Sequence, residues 1–439
     1  MTTQSRQSVL ILGAGLTGLT ASFYLSRRGY RVTLLDHPGW QDGFRTNAAD
    51  AAPLLFGCHA ETWRLLRDLN SDMSNQSATT LPLEFRLPDG RIVAYRSAHL
   101  PGPLQWMMSL FSFDGLAWHD RWKLFSHLEK IWEQAQSLPA DLDSRAADEW
   151  LTSIGQSQKA RGHIWNPLAQ WLTGNALNRL SAAIFVQLLS TVFLGQATDA
   201  RLTYLHGSIG DRFVAPLRTQ LGRLGVVAHL HTDLPVLRFE QDGVSGIQTQ
   251  DGAVLQADWY IAALPHHKLL ALLPDRLLTR YAYFAHISEL DTLSEIAVHF
   301  TCRATNRTPR LLLLPDRPFH QCTLSSQRDR EISCRLSAIG DQALTDLRDS
   351  QLMDLGRAEL HTLQPEGVTD GIQSVEVIRE DHAALWLRPG AALLRPIQQS
   401  PIRNLLVAGP WTDTGWPATV ESAVASATRC EAIIANRPA

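Results

Sequence analysis

A chain of 439 residues that is 45% hydrophobic and 19% charged can bury a large core and divide into two domains. With 40 Lys and Arg against 43 Asp and Glu, its formal charge of -3 offers no global basic field for nucleic acid. The cysteines Cys58, Cys302, Cys322, Cys334 and Cys430 show no metal-ligand spacing. No stretch reaches the length of a transmembrane helix, and Met1 to Ser8 carries no signal-peptide core. A soluble or peripherally attached protein with free thiols, in a reducing compartment, is therefore expected.

The first thirty-odd residues organise the rest. Val9-Leu10-Ile11-Leu12 is a short apolar run suited to a buried parallel strand, and it leads into Gly13-Ala14-Gly15-Leu16-Thr17-Gly18. Helical spacing from Leu16 to Arg28 stops at Gly29, and a second strand, Arg31 to Leu35, ends on Asp36. In this strand, turn, helix, strand unit, Gly13 permits the turn, Gly15 lets the backbone approach a pyrophosphate, and Gly18 lets the helix lie close to the sheet. The helix's first amides, at Leu16 and Thr17, then face the phosphates together with its dipole. Asp36 can accept hydrogen bonds from ribose hydroxyls and would repel a 2'-phosphate, which disfavours NADP. Arg45, in the turn-rich loop that follows, can reach a pyrophosphate from the opposite side.

Further along, Glu61 to Leu69 reads as a helix, and Leu83–Leu87 with Arg91–Tyr95 as a hairpin turning at Asp89-Gly90. The segment from Leu104 to Trp118 is apolar and short, suited to dip into one leaflet, to line an apolar tunnel, or to be a buried helix. Helices are expected at 120–136, 146–155, 157–171 and 181–193, rich enough in Leu, Trp and Phe to enclose a substrate pocket. A helix at 211–221, a strand at 226–230 and a meander over 234–255 precede the apolar strand 257–264 and a helix at 266–273. His229 and His231 lack a third metal ligand, and exposed strand positions are expected for them; His266 and His267, adjacent on a helix, do not face each other, and solvated or helix-start positions are expected. Strands near 295–300, 310–314, 331–336, 374–379 and 383–387, with a helix over 341–363, form an antiparallel sheet with a helical cover. The chain closes with a strand at 404–409, Pro410 to Pro417, and a helix over 418–435, placing another helix start after a parallel strand.

Two stretches carry a family resemblance. The opening Gly13-Ala14-Gly15-Leu16-Thr17-Gly18 with Asp36, and the closing Leu406-Val407-Ala408-Gly409-Pro410-Trp411-Thr412-Asp413-Thr414-Gly415-Trp416-Pro417-Ala418-Thr419, resemble the amine oxidase and phytoene desaturase superfamily of flavoproteins. Within it, Trp165-Asn166-Pro167-Leu168, Asn175 to Leu180 and Ser190 to Gly195 are similar to the squalene-associated FAD-dependent desaturases, the hydroxysqualene dehydroxylases of bacterial hopanoid synthesis. The resemblance implies an α/β fold with an amine oxidase-like layout. A Rossmann-like FAD-binding domain is assembled from residues 1–75, 204–275 and 396–439, and an α+β substrate domain from 76–203 and 276–395.

It also implies FAD as cofactor, with Gly13, Gly15 and Gly18 at the pyrophosphate and Asp36 at the ribose. Leu234 falls near the adenine, and Gly409, Asp413, Thr414, Ala418 and Thr419 fall beside the ribityl chain and flavin. The implied substrate is a long apolar isoprenoid, hydroxysqualene, losing its hydroxyl to give squalene. The implied setting is cytoplasmic, with peripheral contact on the inner face of the membrane and association with squalene-pathway enzymes. No residue is assigned as proton donor. The resemblance departs at Phe44, at Ala52-Pro53-Leu54 and at Pro410, each where the family carries another residue. A carotenoid or terpenoid desaturase and a non-catalytic flavoprotein-like subunit that binds prenyl lipid or a partner are the alternative expectations.

Overall fold

The computed structural model describes residues 7–40, 52–69, 78–98, 100, 104–133, 141–230, 235–249, 252–303, 308–326, 331–363 and 371–436. The opening unit forms as expected: strand β1 (Ser8–Leu12), helix α1 (Leu16–Arg27) and strand β2 (Arg31–Asp36). They join β3 (Val227–Leu230), β4 (Trp259–Ala262) and β5 (Leu405–Val407) in a sheet of order β5-β4-β1-β2-β3, parallel throughout. The nucleotide-type domain is thus assembled from three separated stretches of chain.

A parallel sheet must be covered on both faces, which is why its strands read as continuous apolar runs. Successive side chains still divide between the faces. Val9 and Ile11 pack with Leu19 and Phe23 of α1 and with Val424 of the closing helix α2 (Val420–Ala435). Leu10 and Leu12 face the opposite way and join one continuous core with Trp106, Phe185 and Leu313 of the substrate domain. One strand thereby locks both domains together. Because all five strands run the same way, β1, β4 and β5 discharge into Gly13, Ala263 and Ala408-Gly409 at one edge, where open α/β sheets bind ligands.

The substrate domain is built on a seven-stranded sheet. Its order is Ile372–Leu385, Thr292–Arg303, Glu331–Ile339, Gln321–Ser326, Arg310–Leu313, Leu83–Arg86 and Ile92–Tyr95. Every pairing is antiparallel except that of Arg310–Leu313 with Leu83–Arg86. The expected strands at 374–379 and 383–387 are one strand. Gln321–Ser326 was not expected, since only Cys322 and Leu324 carry its apolar alternation; pairing on both sides compensates. The helix expected over 341–363 is two, Gln342–Thr345 and Asp349–Leu363, the first capped by the Asp341 side chain. The closing helix expected over 418–435 begins at Val420, with Thr419 as its N-cap.

The helical module comprises Leu104–Ser112, Trp118–Glu133, Ala147–Ser153 and Ala182–Phe193, with Gln158–Ala160, Arg161–Trp165 and Asn166–Thr173 running on through a π-helical middle. Among the described residues no helix is long and apolar enough to cross a membrane.

Candidate functional site

At the carboxyl edge of the parallel sheet lies a cavity of about 300 Å³. Gly13, Ala14, Gly15, Leu16, Thr17 and Asp36 line one wall; Gly409, Pro410, Ala418 and Ala423 line it from the closing segment. The two ends of the chain therefore meet at one space. The glycines of the opening turn have distinct tasks. Gly13 has φ +98°, and a Cβ there would stand 2.4 Å from the carbonyl oxygen of Ala263. At Gly18 a Cβ would stand 1.9 Å from the Gly13 oxygen, so this residue sets the closeness of helix and turn. Gly15 differs: its backbone is ordinary, and a Cβ would meet nothing within 4 Å. Its missing side chain leaves a space in front of α1. No side chain caps that helix start and no acid lies in its first turn, the condition under which helix amides and dipole receive an anion. Asp36 is held at the same rim, its Oδ1 accepting from the Ala14 amide at 3.2 Å.

The closing loop is fixed by a residue the sequence reading passed over. Arg395 is almost fully buried, and its guanidinium donates to the carbonyls of Trp411 (3.2 Å), Pro410 (3.4 Å), Thr412 (2.5 Å) and Trp416 (2.6 Å). Burial pulls its pKa down to about 10, so it remains charged at neutral pH. Gln398 donates to Thr412 Oγ1 at 2.9 Å, and Trp411 Nε1 to the Leu264 carbonyl at 2.8 Å, tying the loop to β4.

Of the residues expected beside the flavin, Ala418 and Gly409 line the cavity and Asp413, Thr414 and Thr419 do not. Asp413 is exposed, its carboxylate accepting from the Gly415 amide. The Thr414 hydroxyl is buried against Ser422, and Thr419 caps α2. Glu421, in the first turn of α2, accepts from the amides of Glu61 and Thr62 and from the Thr62 hydroxyl, so it caps a neighbouring helix instead of facing the cavity. Arg45, Leu234 and Phe44 lie outside the described residues.

The far wall comes from the substrate domain: Thr292, His382, Ala383, Ala384 and Leu385, with His266 and His267 from the turn after β4. Of the solvated and helix-start positions expected, His266 takes the second. It opens the helix His266–Leu272 and is buried, its Nε2 3.0 Å from the Leu290 carbonyl; burial pushes its pKa down to about 4. Its ring stands edge-on to His267 at 5.4 Å between centroids, and His267 stacks on His382 at 4.4 Å. Adjacent helix residues diverge in mid-helix, but at a helix start the first ring is free to turn back toward the second. His382 Nδ1 is 2.7 Å from Thr292 Oγ1. Among the described residues no group of three or more His, Cys, Asp or Glu could hold a metal ion.

With this geometry the family match is informative. A model of flavin-containing amine oxidoreductases matches residues 41–433, and one of NAD(P)-binding Rossmann-like domains matches 11–41. The chain belongs to the flavin-containing amine oxidoreductase family. It is an enzyme of the FAD-dependent oxidoreductase type, built on the FAD-binding fold of that superfamily. Among curated proteins, it is 22% identical to a 15-cis-phytoene desaturase of Synechococcus elongatus, over 98% of this chain and 96% of that one. It is 23% identical to a probable zeta-carotene desaturase of the same organism, over 96% and 97%. Among solved structures, an oxidoreductase from Methanosarcina mazei aligns with TM-score 0.73 at 14% identity, covering 97% of this chain and 100% of that one. Putrescine oxidase bound to putrescine aligns with TM-score 0.71 at 14% identity, covering 98% and 99%. At these identities the structural likeness establishes the fold.

The residues present fit an FAD: an open glycine before an uncapped helix start, an acid at the rim, and a cavity that continues past the closing loop. A second, smaller space of about 60 Å³ lies between the helical module and the strands Leu83–Arg86 and Ile92–Tyr95, lined by apolar and aromatic residues such as Phe85, Trp106, Leu110, Phe113, Trp165 and Leu189. It is smaller than the roughly 150 Å³ that admits one benzene ring. As it stands, this space is too small for a long isoprenoid chain.

Proposed function

We propose that this protein is an FAD-dependent oxidoreductase that exchanges a hydride with a long, apolar isoprenoid chain. The observation that carries the reading is the cavity shared by the nucleotide cradle and the end of the substrate-domain sheet, together with a separate space in the helical module whose lining is apolar and aromatic. The curated relatives that match over nearly the full chain are named as desaturases of phytoene and of zeta-carotene, which supports linear isoprenoids as the substrate class and favours desaturation as the reaction. Reductive removal of the hydroxyl of hydroxysqualene, giving squalene, is the second reading. It is supported by the resemblance of Trp165 to Leu168, Asn175 to Leu180 and Ser190 to Gly195, and by the imidazoles on the cavity wall, which suit an oxygen leaving group.

When bound, FAD would supply the hydride chemistry in either reading. Gly13 to Thr17 would present amides to its pyrophosphate, Asp36 would accept from its ribose, and Arg395 would hold the closing loop beside it.

We further propose that the protein sits on the inner face of the cytoplasmic membrane. The outward faces of Leu104–Ser112 and Trp118–Glu133 expose Leu104, Met108, Trp118 and Trp122, the last two at 65% and 56%. Tryptophans favour the lipid interface, and the inward residues of the same helices line the apolar space.

The test pairs two assays on purified, FAD-loaded protein in lipid vesicles. Oxidised protein with a quinone acceptor is given phytoene, and reduced protein without oxygen is given hydroxysqualene. A new conjugated double bond supports desaturation, and squalene supports dehydroxylation. A flavin-loaded protein that yields neither contradicts the proposal, and a protein that takes up no flavin favours a non-catalytic binding subunit.

A further inference from the structure

We propose that His267 passes a proton between the isoprenoid chain and solvent, with His382 stacked on its face as the neighbour that biases its charge and His266 fixing it from behind; this rests on the function proposed above. The three rings run from solvent inward. His382 is exposed, His267 is half-buried and His266 is buried beside Trp411, with ring centroids 4.4 Å, 5.4 Å and 6.0 Å apart along the series. All three line the cavity that the nucleotide cradle opens into. The ends of the series are anchored: His382 by Thr292 and His266 by the Leu290 carbonyl. His266, neutral because it is buried, donates its Nε2 proton to that carbonyl and so cannot rotate away from His267. The charged groups around the row are Asp291, held by Arg388 at 2.7 Å, and, as chain neighbours, Lys268, Glu380 and Asp381.

Both reactions considered above need one proton besides the hydride. In desaturation two C–H bonds break and a C=C bond forms; one hydrogen leaves with its electron pair to oxidised flavin, and the other leaves as a proton to a neutral His267 ring. In dehydroxylation the C–O bond breaks with its electron pair on oxygen. Protonated His267 supplies the proton with which that oxygen departs as water, and a hydride from reduced flavin closes the carbon. In each case solvent water restores the ring, while the stacked His382 disfavours a second positive charge beside it. Asp413, the acid expected nearest the flavin, is turned to solvent, which leaves the imidazoles as the ionisable side chains placed on this wall among the described residues.

The experiment uses His267→Asn and His382→Asn with three readouts. Flavin occupancy and thermal unfolding should match wild type in both. With the substrate that wild type converts, His267→Asn should lower kcat about 100-fold, with KM little changed and the imidazole limb of the pH profile lost. In flavin-free protein, NMR of the histidine rings should show His267 and His382 titrating as a coupled pair in wild type, and His267 titrating in a single step in His382→Asn. Unchanged kcat and pH profile in folded, flavin-loaded His267→Asn overturns the proposal. If His267→Asn does not fold, His382→Asn decides, through a shifted or unshifted pH profile. If wild type converts neither substrate, the function reading fails, and the pair is judged by its titration: independent single-step curves for both rings in wild type overturn it.

Discussion

Replacing Gly15 by valine should separate cofactor binding from folding. Gly15 stands before α1 with φ -71°, a conformation open to any residue, and a Cβ there meets nothing within 4 Å. Losing glycine at this cap position costs at most about 1 kcal/mol of stability. The new methyl groups, however, occupy the space in which phosphate oxygens must approach the amides at the start of α1. A hydrogen bond to a charged group is worth about 1.5–3 kcal/mol. Displacing the phosphate from two amides therefore costs about 3–6 kcal/mol, or about 10² to 10⁴ in Kd. Gly18→Ala is the contrasting variant: its Cβ would lie 1.9 Å from the Gly13 oxygen, so fold and binding should fail together. Titration with FAD, followed by flavin fluorescence, and thermal unfolding of each flavin-free protein distinguish the two. Wild-type FAD affinity in Gly15→Val, or wild-type unfolding in Gly18→Ala, would refute the assignment of these glycines.

Three further outcomes are expected. Arg395→Met removes the donor shared by four loop carbonyls and should cost about 3–6 kcal/mol, seen as a lower Tm and weaker FAD binding, with partial recovery in Arg395→Lys; an unchanged Tm would contradict the clamp. His59, His266 and His320 are buried, with pKa values pushed down to about 3, 4 and 4, while an unfolded chain takes up these protons near 6.5. Their contribution to stability is complete above pH 6.5 and is lost as pH falls toward 4 and then 3. Each should contribute up to about 1.4 kcal/mol per pH unit, so denaturant unfolding that is flat between pH 7 and 5 would exclude it. Trp118→Ser with Trp122→Ser should weaken binding to lipid vesicles at least about tenfold while leaving FAD binding intact, and unchanged sedimentation with vesicles would remove these residues from the contact.

The parallel sheet was legible because its parts are local: Val9 to Leu12, the three glycines and Asp36 follow one another, and each glycine's task follows from backbone sterics. The join of residues 1–36 to residues 405–435 could be read only by resemblance, since no local pattern states which strand pairs with β4. Arg395 was invisible for a related reason. An arginine in Leu-Arg-Pro reads as surface until the carbonyls of a loop fifteen residues on are found converging on it. The helix start at His266 was legible, but its burial and its contact with His267 were not, because Thr292 and His382, which complete the wall, arrive from strands some ninety residues apart in sequence. The apolar module was anticipated from its Trp, Phe and Leu content. The small volume of the space it lines was not, because composition reports what can line a space and says nothing of its size.

The central claim is that the opening and closing segments of this chain build one FAD cradle facing a histidine-bearing wall. Its most direct test is the stoichiometry of flavin after reconstitution: purified protein is saturated with FAD, freed of excess, and unfolded to release what it holds. The account predicts one FAD per chain, lost in Gly15→Val while the protein stays folded. Folded wild-type protein that retains no flavin at saturating FAD would contradict it.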